Sequence, residues 1–313
     1  MLKIFERKKI VLAAILLSAL FCAQAAFGQA PKTAIEFIQR GIDYLNDGEY
    51  TKALADFNQG LKLEPNGEYT AANYLYRGIT YSTMKDYDKA IADFNQADKL
   101  EPNDSGVLAW RGDAYFLKSE IPGPNVNVED LRRRALADLN KSIQVEPDYA
   151  WAYARRAYFY GQTGDRDKAL ADYNKSIQLD PDDAEVYKNR AYLYTWSFRD
   201  TSKALEDYNQ AIRLNPNDAS YYAARAETYR NMANEALGGN GDYTRAIADY
   251  TQAIKLDPKE PKNYSERGFA YYKMNNYRNA IPDLEQAIKL WTGYKGDYYS
   301  NIEWYLADAK KKR

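Results

Sequence analysis

Between Tyr74 and Pro102 the chain carries two apolar stripes separated by a polar break. Tyr74, Gly78 and Tyr81 stand at i, i+4 and i+7, the spacing that keeps one face of a helix apolar or small. Polar Lys85-Asp86 interrupts this stripe, and a second follows at Ala90, Ile91, Phe94 and Ala97. Pro102 then denies the next helical hydrogen bond. The pattern predicts two helices folded back on each other, and six further segments copy it. The arginine ahead of the small residue marks the register: Arg40, Arg77, Arg111, Arg156, Arg190, Arg225 and Arg267, spaced by 37, 34, 45, 34, 35 and 42 residues. The shortest recurring spacing is 34, so the longer intervals hold insertions.

Each position of the pattern has a packing reason. Small residues in the first helix (Gly41, Gly78, Gly112, Ala157, Ala191, Ala226, Gly268) and alanine in the second (Ala53, Ala90, Ala135, Ala169, Ala204, Ala246, Ala280) let the two axes approach. Tyr44, Tyr81, Tyr115, Tyr160, Tyr194, Tyr229 and Tyr271 are expected to fill the seam with Phe57, Phe94, Leu139, Tyr173, Tyr208, Tyr250 and Leu284. Proline ends six of the second helices, at positions 65, 102, 147, 181, 216 and 258. The last unit has Thr292 there and carries Pro282 inside its second helix, which is expected to be distorted.

A 34-residue period of two helices resembles the tetratricopeptide repeat family. The resemblance implies an all-α fold, a right-handed α-solenoid of seven hairpins (34–67, 71–104, 105–149, 150–183, 184–218, 219–260 and 261–292) with a C-terminal capping helix and basic tail in 293–313. Two positions depart from the family pattern in every unit. The consensus leucine before the small residue is the arginine named above, and aspartate precedes the seam residue at Asp56, Asp93, Asp138, Asp172, Asp207, Asp249 and Asp283. An unpaired arginine in a helix seam would be costly, so an Arg–Asp pair is expected in each unit or between neighbours, in a structural role.

Ahead of the repeats, residues 1–28 read as a bacterial-type signal peptide, followed by a short segment, 29–33. The start is basic (Lys3, Arg7, Lys8, Lys9), Ile10 to Phe21 is apolar, and small residues follow at Ala23, Ala25, Ala26 and Gly28. The mature chain is expected to be periplasmic or secreted. Two alternatives stay open: Ile10 to Ala30 could remain as a membrane anchor, or Cys22 could be lipidated, although Phe21 is not the small residue a lipoprotein signal carries. With Cys22 the sole cysteine, the mature chain has no disulfide.

Three extra residues within 66–70 lengthen the link from the first unit to the second, and the other three insertions fall at the turn between the two helices of a unit. The third unit's lies around 120–127, with Asn127 as an N-cap; the fifth has a single residue near Trp196 to Asp200; the sixth is expected to add helix to Leu237 and a turn over 238–242. The final helix, from about Tyr298, shows the stripe Tyr298, Ile302, Tyr305, Leu306 and Ala309 expected of a cap. Lys310 to Arg313 reads as a solvated tail, with a phosphate or acidic-lipid patch as the alternative.

Composition narrows the chemistry. There is no histidine, which removes imidazole acid/base catalysis, and no mature cysteine, which removes thiol nucleophiles and ordinary zinc sites. No enzyme, metal or cofactor is expected. A net charge of −1, more acidic still without the leader, argues against nucleic acid as a partner.

The family resemblance implies that the first helix of each unit lines a concave face. The positions are Ile38, Ile42 and Leu45, then Leu75 and Ile79, then Ala109, Trp110, Asp113 and Phe116. Trp151, Arg155 and Tyr158 follow, then Glu185, Lys188, Tyr192 and Trp196. The last units offer Glu227 and Arg230, then Ser265, Phe269 and Tyr272. Exposed Trp, Tyr and Arg anchor partners, while any of these rings could instead pack on the next unit. The family's lysine and asparagine carboxylate clamp is not supported, because Tyr192 stands four residues after Lys188. The expected function is an exported, non-enzymatic scaffold whose groove binds an extended or helical segment of another protein. A glycan-binding module and a self-assembling structural solenoid remain as alternatives.

Overall fold

The computed structural model describes residues 31–121, 123, 126–235, 243–293 and 295–313, with 233–235 described for the backbone alone. The expected signal segment and the expected turn over 238–242 lie outside the described residues. All regular structure among the described residues is helical, and the chain divides into two compact units, one ending at Leu179 and one beginning at Asp180.

In the first unit the helices are α1 (Ala34–Asn46), α2 (Tyr50–Leu63), α3 (Thr70–Thr83), α4 (Tyr87–Leu100), α5 (Ser105–Ser119), α6 (Val128–Val145), α7 (Ala150–Thr163) and α8 (Arg166–Leu179). Odd and even members pair as hairpins, and the second helix of each hairpin also packs on the first helix of the next. The second unit repeats this with α9 (Ala184–Leu193), α10 (Thr201–Leu214), α11 (Ala219–Glu235), α12 (Tyr243–Leu256), α13 (Pro261–Lys273), α14 (Tyr277–Leu290) and α15 (Asp297–Lys312). In it α15 packs on α14 and α13, as a first helix without a second.

Local chemistry sets the element ends. Asp86, Asp104, Asn127 and Asp200 each accept a hydrogen bond from a backbone N–H in the first turn of the helix they precede. Thr33 and Glu36 form a capping box at α1. The turn inside the hairpins passes through a left-handed residue, Gly48, Lys85, Gly164, Arg199 or Asn275.

The seam is dry. The second-helix alanines at 53, 90, 135, 169, 204, 246 and 280 are all 0 % exposed. The matching Phe57, Phe94, Leu139, Tyr173, Tyr208, Tyr250 and Leu284 are at most 3 % exposed. The first-helix tyrosines are less enclosed than the periodicity implies: except for buried Tyr115, they are half-buried. Their rings take cations instead, as where Arg40 and Lys52 sit 5.7 and 5.4 Å from the Tyr44 centroid.

The repeat arginines meet the repeat aspartates within their own hairpins. The closest contacts are 2.6 Å for Arg40–Asp56 and 2.7 Å for Arg77–Asp93, Arg111–Asp138 and Arg156–Asp172. They are likewise 2.7 Å for Arg190–Asp207, Arg225–Asp249 and Arg267–Asp283. In each pair Nε and Nη2 grip both carboxylate oxygens, the bidentate geometry that suits a planar guanidinium. The remaining nitrogen reaches the preceding hairpin: Arg77 bonds Asn58 at 2.7 Å, Arg111 Asn95 at 3.1 Å, Arg156 Asn140 at 2.7 Å, and Arg267 the Thr251 hydroxyl at 3.0 Å. One side chain thus ties the hairpin together and fastens it to its neighbour.

Three expectations are corrected. The helix with Pro282 runs unbroken from Tyr277 to Leu290, because Pro282 lies on the exposed face, where water can satisfy the carbonyl it leaves unpaired. The extra residue of the fifth unit does not lengthen a turn. It widens the end of the first helix, where Tyr194–Phe198 form a single π-helical turn after α9. The third unit's insertion is not confined to the turn: it also lengthens the second helix, so α6 has 18 residues where α4 and α8 have 14.

Candidate functional site

In the first unit most of the candidate face is used for packing. Ile38, Leu75, Ile79 and Ala109 are buried, with Ile42 and Leu45 half-buried beside them. Two positions expected to face a partner do not. Phe116 is 1 % exposed and meets Tyr158 and Phe159 edge-on, at 5.8 and 5.1 Å between centroids. Asp113 is 4 % exposed and accepts from Arg155 Nε at 2.6 Å. Burial pushes the Asp113 carboxyl above its ordinary value while Arg155 pulls against that rise. The Arg155 guanidinium lies 5.7 Å from the Trp151 ring and 5.1 Å from Tyr158, and the Trp110 and Trp151 rings lie 4.2 Å apart, tilted by 32°. These residues form a wedge between α5 and α7, because the next hairpin leans its own large side chains onto them.

The second unit is built differently. Tyr192 and Trp196 are 55 % and 41 % exposed, with centroids 6.0 Å apart. Trp196 belongs to the π-helical turn, whose extra residue moves it out of α-helical register. Beside them a cleft of about 410 Å³ opens between α9, α11 and α13, lined by Lys188, Tyr192, Ala223, Ala224 and Asn263 among others. Lys188 is held by Glu185 at 2.5 Å, and its ammonium lies 5.7 Å from the Tyr221 ring. At the cleft floor burial pushes the Tyr208 phenol well above its ordinary value, so it stays a neutral donor.

Arg230, Phe269 and Tyr272 are drawn toward the last helix. Arg230 pairs with buried Glu266, with Glu227 at 3.7 Å, and lies 5.9 Å from the Phe269 ring. Ser265 is buried and shares a 2.6 Å hydrogen bond with the Tyr298 hydroxyl. Phe269 and Tyr272 each meet Tyr305 at 4.9 Å. Of the basic tail, Lys310 pairs with Glu285 at 2.7 Å and Lys312 with Asp308 at 2.6 Å. No described helix is long and apolar enough to cross a membrane.

The comparisons agree with this geometry. Family models described as "TPR repeat" and "Tetratricopeptide repeat" match residues 71–104, 150–183, 200–232, 240–275 and 261–290. The chain is a tetratricopeptide repeat protein. Among solved structures, a tetratricopeptide repeat protein from Parabacteroides merdae aligns over 88 % of this chain and 98 % of its own, at 19 % identity and a TM-score of 0.56. A thermophilic TPR protein of Thermus thermophilus covers 63 % of this chain and 98 % of its own, at 22 % identity and 0.57. The PilF protein of Pseudomonas aeruginosa covers 78 % and 97 %, at 13 % identity and 0.58. No curated protein matches the sequence. Tetratricopeptide repeats generally mediate protein–protein interaction and typically serve as non-enzymatic scaffolds.

In this tetratricopeptide repeat protein two features escaped the reading of the sequence. One is the asparagine after the seam residue (Asn58, Asn95, Asn140, Asn209), which receives the neighbouring arginine; its recurrence in the same column was the available signal. The other is the run of small residues on α11, Ala219, Ser220, Ala223 and Ala224, whose consequence is the cleft.

Proposed function

We propose that the protein is an exported scaffold that holds a segment of another protein along the first-helix face of its second unit. The observation that carries this reading is the cleft of about 410 Å³ bordered by Tyr192, whose ring is exposed together with that of Trp196. Exposed rings next to a concave, partly apolar cleft are what partner proteins use as anchors. The positions Trp110, Asp113, Phe116, Trp151, Arg155 and Tyr158 take no part, since they pack against one another.

Both exposed rings can be removed without opening the core. Tyr192→Ala combined with Trp196→Ala is expected to keep the circular dichroism spectrum and thermal midpoint of the parent while losing partners captured from an envelope extract. Unchanged capture by this double variant would sink the reading. Export is argued from the basic start and apolar run of residues 1–28. Expressed with its leader in a Gram-negative host, the chain should appear in the periplasmic or secreted fraction, with an intact mass lacking about the first 28 residues. Full-length chain confined to the cytosol would refute export.

A further inference from the structure

The repeats supply an internal standard for what the cleft lacks. In the first unit, the residue just before Arg111 and the residue five before Arg156 are Trp110 and Trp151, and their indoles, in contact at 4.2 Å between centroids, fill the space between successive first helices. In the second unit the same two positions are Asn189 with Ser220, and then Ala224 with Lys262. Ala223 and Ala224 add nothing beyond a methyl group, and Ser220 is short. The place occupied by two indoles in the first unit is therefore open in the second, and all of these residues line the cleft.

A second observation points into the same space. Asn263 lines the cleft and is 4 % exposed. A side-chain amide at the wall of a cleft can pair with a ligand or with water. The walls suit a ring: Tyr192 stands exposed at one side, the rings of Tyr208 and Tyr250 lie at the floor, and Lys188 and Lys262 lie beside the opening, where an ammonium can face a π cloud.

We infer that this cleft takes an aromatic side chain of the partner, tryptophan above all, seated where Trp110 stands in its own hairpin. Its indole N–H donates to the Asn263 carbonyl oxygen, which gives tryptophan, and tyrosine through its hydroxyl, an advantage over phenylalanine. This rests on the scaffold reading above and adds the chemistry of the anchor.

The test fills the cleft from within. A random-peptide display library is selected on the full chain, and the selected peptides are synthesised and titrated. Enrichment of tryptophan or tyrosine is expected, with affinity falling at least about tenfold when that residue is changed to alanine. Ala224→Trp recreates the Trp110 position and should weaken the same peptides by a similar factor. Ser220→Trp, at an exposed position, recreates the Trp151 position without straining the core and should do the same if Ala224→Trp fails to fold. Peptides without aromatic residues, or peptides that bind whichever cleft variant folds as they bind the parent, overturn the aromatic anchor and leave the scaffold reading standing. Selection of no peptide at all overturns both.

Discussion

Replacing Arg111 by methionine is expected to cost about 3 kcal/mol of unfolding free energy, seen as a lower urea midpoint of the full chain. Arg111 donates to both oxygens of Asp138 at 2.7 and 3.0 Å, and its third nitrogen reaches Asp98 at 2.9 Å and Asn95 at 3.1 Å. Its side chain is 13 % exposed and that of Asp138 15 %. Methionine fills the volume but leaves two carboxylates without their cation, in a seam where water reaches them poorly. The double change Arg111→Met with Asp138→Leu should recover most of the loss, because an apolar pair of similar size needs no desolvation of charge. Arg133→Ala is the control: its side chain is 71 % exposed and its pair with Asp130 is a surface contact, so the change should stay within about 0.5 kcal/mol. A loss below about 1 kcal/mol for Arg111→Met would show that the clasp follows from packing and does not hold it.

The second large effect is expected at Gly78. A Cβ there would lie 2.7 Å from Cε1 of Phe94, inside van der Waals contact, and Phe94 is 0 % exposed with nowhere to retreat. Gly78→Val should therefore cost about 3 kcal/mol, the upper part of the range for overpacked cores. Gly164 separates sterics from backbone: it has φ +93° with open space around it, so Gly164→Ala should cost only about 1 kcal/mol, from left-handed strain. Equal effects of the two changes, read from thermal midpoints, would contradict close helix approach as the reason for the small residue.

The Arg–Asp contacts were legible because they join two helices of one hairpin, and the hairpin's geometry is implied by its own period. Their third arm was not, since Asn58 or Asn95 becomes a partner only when the preceding hairpin is placed alongside. Pro282 misled for the opposite reason: a proline inside a helical pattern signals a break, but on an exposed face the unpaired carbonyl is satisfied by water and the helix continues. The single inserted residue of the fifth unit looked like turn length. It became a π-helical turn because α10 still had to begin at Thr201 under its Asp200 cap, so the slack was taken up inside the first helix.

By itself the sequence determined the repeat, the paired helices, their caps and the buried seam. All of these follow from contacts within one unit, where side-chain size and spacing decide the outcome. Only the tertiary structure decided which first-helix residues remain free. Trp110, Asp113 and Phe116 are covered, and Tyr192 and Trp196 are open, because exposure at these positions is set by the side chains of the following hairpin. Trp151 and Arg155 fill the space in one unit, and Ser220, Ala223 and Ala224 leave it empty in the other.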